Sequence, residues 1–83
     1  MKLIRLNQPI TVDGQTLNEI TLRRPKVRDR LIVERLGTTD AEKEVALIAN
    51  LAELPTNAIE ELDLTDYVKI QGVLQDFLSP STA

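Results

Sequence analysis

The chain has no cysteine and no histidine, and Tyr67 and Phe77 are its only aromatic residues. Each absence removes a class of function. Without histidine or cysteine there is no imidazole to act as base for a nucleophile and no thiolate to be one. A disulfide framework and a structural zinc site of the usual Cys/His kind are excluded for the same reason. The three glycines, Gly14, Gly37 and Gly72, stand far apart, so no glycine-rich loop cradles a phosphate. No run approaches the ~20 apolar residues of a membrane span. The opening Met1-Lys2-Leu3-Ile4-Arg5-Leu6-Asn7 is interrupted by charge and amide too often for a signal-peptide core. Only carboxylates remain for chemistry. The closest acidic pairs, Glu60 with Glu61 and Asp63 with Asp66, stand where helix starts and solvated helix faces place acids in any case. The expectation is a soluble cytoplasmic protein that is not an enzyme and carries no cofactor or metal.

What is present is aliphatic. Eighty-three residues make one domain, expected over 1–78 with a disordered tail at 79–83, and a core of Leu, Ile, Val and Ala suits helix packing. A chain of this size draws only about 3 to 5 kcal/mol from its own core. With no cross-link available, self-association into a homo-oligomer is the expected support. The charge is divided along the chain: residues 1–37 hold eight Lys/Arg against four Asp/Glu, and residues 38–83 hold two against nine. A basic segment facing an acidic surface of a neighbouring subunit or partner would use that division.

One stretch organises the rest. Thr39 followed three places later by Glu42 is a capping box that starts a helix, and Pro55 ends it. Over about 40–54, Ala41, Val45, Ile48, Ala49, Leu51 and Ala52 fall together. Leu47 and Leu54 widen the apolar arc to roughly 220°, with Glu42, Lys43, Asn50 and Glu53 on the remainder. Such a helix must be covered on two sides.

Before it, Ile4, Leu6, Ile10 and Val12 alternate with polar residues, and Ile20 and Leu22 repeat the parity after Asp13-Gly14, the pattern of a β-hairpin. A two-residue turn would set even against odd positions and put the two apolar sets on opposite faces. A three-residue connection, Val12-Asp13-Gly14, pairs Ile4 with Leu22 and Leu6 with Ile20. The second register is expected because it keeps one apolar face. Pro9 bends the first strand or leaves it at an edge. A helix follows at about Lys26 to Leu36, with Val27, Leu31 and Leu36, and Ile32 or Val33, as its apolar side and Gly37 as its stop. After Pro55 come a short helical segment, Thr56 to Leu62, and a last helix capped by Asp63 or Thr65 and running to about Leu78. Its stripe is Tyr67, Ile70, Gln71, Leu74, Phe77 and Leu78. Gly72 inside it either weakens the helix or permits close approach of another backbone. The fold class is α+β: an N-terminal β-hairpin followed by three or four helices packed around a central helix.

Counting faces leaves Leu17, on the far face of the hairpin, and Ile32 or Val33 without a partner inside the chain. With Leu3 and the flanking Arg23 and Arg24 these make the candidate partner surface. Five bases between Arg23 and Arg30 invite an alternative function, a small DNA-binding regulator. Nucleic acid is disfavoured because the chain is acidic overall, lacks aromatics to stack bases, and has no second helix of recognition character.

Read in series, the segments resemble the tail assembly chaperones of long-tailed bacteriophages, particularly the Mu-like group. The resemblance is carried by Asp13-Gly14, by Ile20-Thr21-Leu22-Arg23-Arg24-Pro25 with Asp29 four residues on, by Ile48-Ala49-Asn50-Leu51-Ala52-Glu53-Leu54-Pro55, and by Leu62-Asp63-Leu64-Thr65-Asp66-Tyr67 with the closing Phe77-Leu78. It spans about residues 4–78. It implies a non-enzymatic protein of the infected or lysogenic bacterium that binds the long, helical, aggregation-prone tape measure protein and keeps it soluble. It also implies help in bringing tail tube protein to the tape measure, and absence from the mature virion. In this family a longer product can also arise by ribosomal frameshifting near the end of the reading frame.

Overall fold

A computed structural model describes residues 1–36 and 39–79. It has β1 (Lys2–Val12), β2 (Gln15–Leu22), α1 (Val27–Leu36), α2 (Asp40–Ala52), α3 (Thr56–Glu60) and α4 (Leu64–Leu78). The fold is α+β, an antiparallel two-stranded hairpin followed by four helices. The expected stop of α1 at Gly37 and, but for Ser79, the expected disordered tail at 79–83 lie outside the described residues; Ser79 caps α4, its N–H and hydroxyl both donating to Gln75 O at 2.9 Å.

The main core cluster draws on every element except α1, whose buried Val33 lies apart from it. Ile4, Ile10, Ile20 and Leu22 of the hairpin meet Ile48, Ala49 and Leu51 of α2, Ala58 and Ile59 of α3, and Ile70 and Leu74 of α4. Each large aliphatic side chain removed from water contributes about 1.5 to 3 kcal/mol before the entropy of ordering is counted. Asn50, which the periodicity sets on the solvent side of α2, is half-buried, and Ala41 on the apolar arc is exposed.

The hairpin keeps the expected face by a different route. Asp13 and Gly14 both have positive φ, 49° and 80°. They form a two-residue turn that pairs Val12 with Gln15 and Ile10 with Leu17. Farther along, Ile4 pairs with Ile20 and Lys2 with Leu22. The expected pairs Ile4–Leu22 and Leu6–Ile20 therefore do not form. Between the two registers β1 carries four residues, Leu6 to Pro9, where β2 carries only Asn18. This bulge absorbs the parity mismatch that counted against the two-residue turn, and Ile4 and Ile20 stay together in the core. Pro9 has no N–H to give to a ladder, so the irregularity falls where pairing is already broken.

The capping box of α2 is present: Glu42 N–H donates to Thr39 Oγ1 at 3.1 Å, and Thr39 N–H to Glu42 Oε1 at 3.1 Å. The helix stops at Ala52, short of Leu54, because Glu53 turns left-handed (φ 58°, ψ 42°) and Leu54 N–H closes onto Ala49 O at 3.0 Å. For α4 the cap is Asp63, which accepts Thr65 N–H at 3.1 Å. Ile70 and Leu74 are buried, but Leu78 stands exposed at the end of the expected stripe. Gly72 is exposed, and a Cβ built on it meets nothing within 4 Å, so no other element among the described residues approaches it.

Candidate partner-binding surface

Two buried carboxylates set the surface's geometry. Asp29 is at the third position of α1 and reaches back to accept Lys26 N–H at 2.7 Å, satisfying a donor that the first helical turn leaves open. Pro25 keeps the preceding segment extended, which brings Arg23 alongside. Arg23 donates twice to Asp29, Nη1 to Oδ2 at 2.9 Å and Nη2 to Oδ1 at 2.7 Å, and Asn50 Nδ2 of α2 donates to Oδ1 at 2.6 Å. Arg23 N–H also bonds Leu51 O at 3.2 Å. One carboxylate thereby joins the strand exit, the start of α1 and the end of α2. The Arg23 guanidinium holds the Asp29 carboxyl down to about 2 against the opposing effect of burial, with help from the Lys26 amide.

Asp66 in the first turn of α4 does the corresponding work on the hairpin. Its oxygens accept Asn7 N–H at 2.9 Å and Gln8 N–H at 3.0 Å, the two amides freed by the bulge in β1. These amide bonds hold its carboxyl below the usual range, opposed by burial and assisted by Lys69 at 3.3 Å. Lys69 Nζ also donates to Arg5 O at 3.1 Å. Asp66 is thus a buried anchor rather than the solvated helix-start acid expected of it. A third acid, Glu44 of α2, accepts Tyr67 Oη at 2.6 Å and Gln71 Nε2 at 2.7 Å from α4. Burial, and after it the bond to Glu44, push the Tyr67 hydroxyl above its ordinary value.

The candidate surface residues do not form one patch. Leu3 is 48% exposed on the outer hairpin. Leu17 is half-buried, opposite Ile10 and packed against the core, rather than on the far face. It shares a groove of about 250 Å³ with Arg23 and Leu51. Arg23 is engaged by Asp29. Arg24 lies over the Phe77 ring at 5.4 Å. Ile32 is 40% exposed, whereas Val33 is 6% exposed and faces inward. Of the basic cluster, Arg24, Lys26, Arg28 and Arg30 are exposed.

The larger apolar opening lies elsewhere. α1 buries only Asp29 and Val33, leaving Val27, Leu31, Ile32 and Leu36 in solvent. On one side of it a trough of about 590 Å³ runs between α1 and α4 over α2. Sequence periodicity missed it by assigning Val27, Leu31 and Leu36 to the inward side. The available signal was Asp29, a lone acid among five bases, whose burial rotates the helix. Among the described residues there is no acidic cluster able to hold a metal ion, and no helix is long and apolar enough to cross a membrane.

Open apolar helix faces of this extent are the material of a protein-binding surface. The family description "phage tail assembly chaperone proteins, E, or 41 or 14" matches residues 3–79, and the chain belongs to that family. It is a chaperone family rather than an enzyme class, with protein partners in tail assembly. No curated protein and no solved structure matches the chain significantly.

Proposed function

We propose that the protein, as a chaperone of the Mu-like group of long-tailed phages, binds the tape measure protein, keeps it soluble and helps to recruit tail tube subunits. It works in the host bacterial cytoplasm, as one domain over residues 1–78, and is left out of the mature virion. The observation that carries this reading is α1, a helix with four apolar residues in solvent, Val27 at 79%. Leu78 of α4 borders the same opening, and Leu64 and Val68 of α4 are exposed as well. An isolated domain gains nothing from such exposure, whereas a holder of apolar helices requires it. The same surface supports self-association of the free protein, with Ile32 as its accessible contributor from the candidate set; Leu3 and Arg24 are exposed apart from it.

The test is genetic. An early stop codon in this reading frame of the phage or prophage should give heads without tails, restored by a plasmid copy, and purified virions should lack the protein. Normal tails from the stop mutant, or stoichiometric protein in virions, would overturn the reading.

A further inference from the structure

We infer that the trough between α1, α2 and α4 receives a single amphipathic helix of the partner, its acidic edge lying against Lys26 and Arg30. The inference rests on the reading that the partner is a protein with apolar helices to cover. Leu47 of α2 lies at the floor, Val33 and Leu74 form the walls, and Val27 and Leu78 are the exposed lips, 79% and 62% in solvent. α1 and α4 each flank α2 and, among the described residues, leave the space between them open. A fourth helix there would bury both lips at once, by the side-chain interdigitation that sets ordinary helix pairs about 8–10 Å apart.

Charge selects the occupant. The lining acids are engaged, Glu34 by Lys43 at 3.0 Å and Glu44 by Tyr67 and Gln71. Lys26 and Arg30 line the α1 side, and their side chains have no hydrogen-bond or ion-pair partner among the described residues. The floor offers no uncommitted polar group to orient a small molecule. An apolar strip with carboxylates along one edge satisfies both the floor and the two free cations. The trough is also held in shape before binding. The Arg23–Asp29–Asn50 contacts pin the first turn of α1 to α2, and Arg24 over Phe77 ties the Pro25 end to the last turn of α4.

The probe is a synthetic helical peptide of about fifteen residues, with Leu at i, i+4, i+7 and i+11 and Glu along one flank. A sister peptide carries Lys in place of Glu. In NMR titrations the Glu peptide should shift the amides of Lys26, Val27, Arg30, Leu47 and Leu78, and should bind at least about tenfold tighter than its sister at low salt. Lys26→Glu with Arg30→Glu should reverse that preference. Val27→Asp with Leu78→Asp, both on exposed residues, should leave melting unchanged and abolish binding. Equal binding of the two peptides, shifts centred on the Leu17–Arg23 groove, or binding that survives the double aspartate variant would overturn the inference. A concentration-dependent dimer that loads the same trough and excludes the Glu peptide would instead assign it to a second copy of the chain, and would also overturn it. Co-expression with the tape measure protein separates the two claims. If the wild type retains it and the double aspartate variant retains as much, the trough assignment fails and the chaperone reading stands. If the wild type does not retain it while the Glu peptide seats in the trough, the tape-measure reading fails alone.

Discussion

Arg23 and Asp29 meet two-on-two, at 2.9 and 2.7 Å, with the carboxylate buried and the guanidinium at the surface. Because Asp29 also accepts from Lys26 and Asn50, α1 is positioned chiefly by polar contacts rather than by apolar burial. That leaves its hydrophobic residues free for another protein. The arrangement links a structural anchor to a functional consequence: the residue that fixes the helix is also the one that turns its apolar side outward.

Asp29→Ala leaves Asn50 Nδ2 and the Lys26 amide without their acceptor. It should destabilise the protein by about 3 kcal/mol in urea titrations. The pH dependence has a definite sign. Unfolded, the Asp29 carboxyl protonates around its ordinary 3.8, and folded it holds out to about 2, so the unfolded state binds more protons in that window. Asp66 is depressed in the same direction. Urea midpoints should be flat down to about pH 5 and fall as pH drops from about 4 toward 2, less steeply in Asp29→Asn. Midpoints that rise on acidification would refute the role of these carboxylates.

Asp66→Ala should release the bulge in β1. Amide exchange at Asn7 and Gln8 should accelerate more than at Ile4 or Ile20, paired and buried in the regular ladder. Uniform acceleration along β1 would mean that Asp66 supports the hairpin generally rather than the bulge.

Leu17 and Ile32 should respond differently to the same substitution. Ile32→Asp should melt within a few degrees of wild type, because the side chain is already in solvent. Leu17→Asp should lose about 2 kcal/mol or more, since it places a charge against the apolar core. Equal melting of the two variants would contradict the placement of Leu17.

Gly72→Ala should stabilise α4 by about 0.5 to 1 kcal/mol, as an exposed helix-interior glycine with open space at its Cβ. Destabilisation of the purified protein would show that a second copy packs there.

The order and type of elements were legible because their local signals agree: alternation before Gly14, the Thr39/Glu42 box, the break before Pro55 and the Asp63 cap. The hairpin register was not. Parity alone cannot reveal a bulge whose freed amides are satisfied by Asp66, far along the chain. The surface was legible only in part. Leu3 and Ile32 are exposed, but the apolar side expected of α1 is Val27, Leu31 and Leu36, and the burial of Asp29 turns those three outward beside the trough. A buried ion pair overrides a weak hydrophobic stripe when the helix is ten residues long and only one of its valines reaches the interior.

The most direct measurement is sedimentation of the tape measure protein from the same phage, expressed with and without this chain. With the chain, the tape measure protein should stay in the supernatant and co-elute with it on size exclusion. A tape measure protein that pellets equally in both cases, or that stays soluble and elutes alone, would contradict the proposed function.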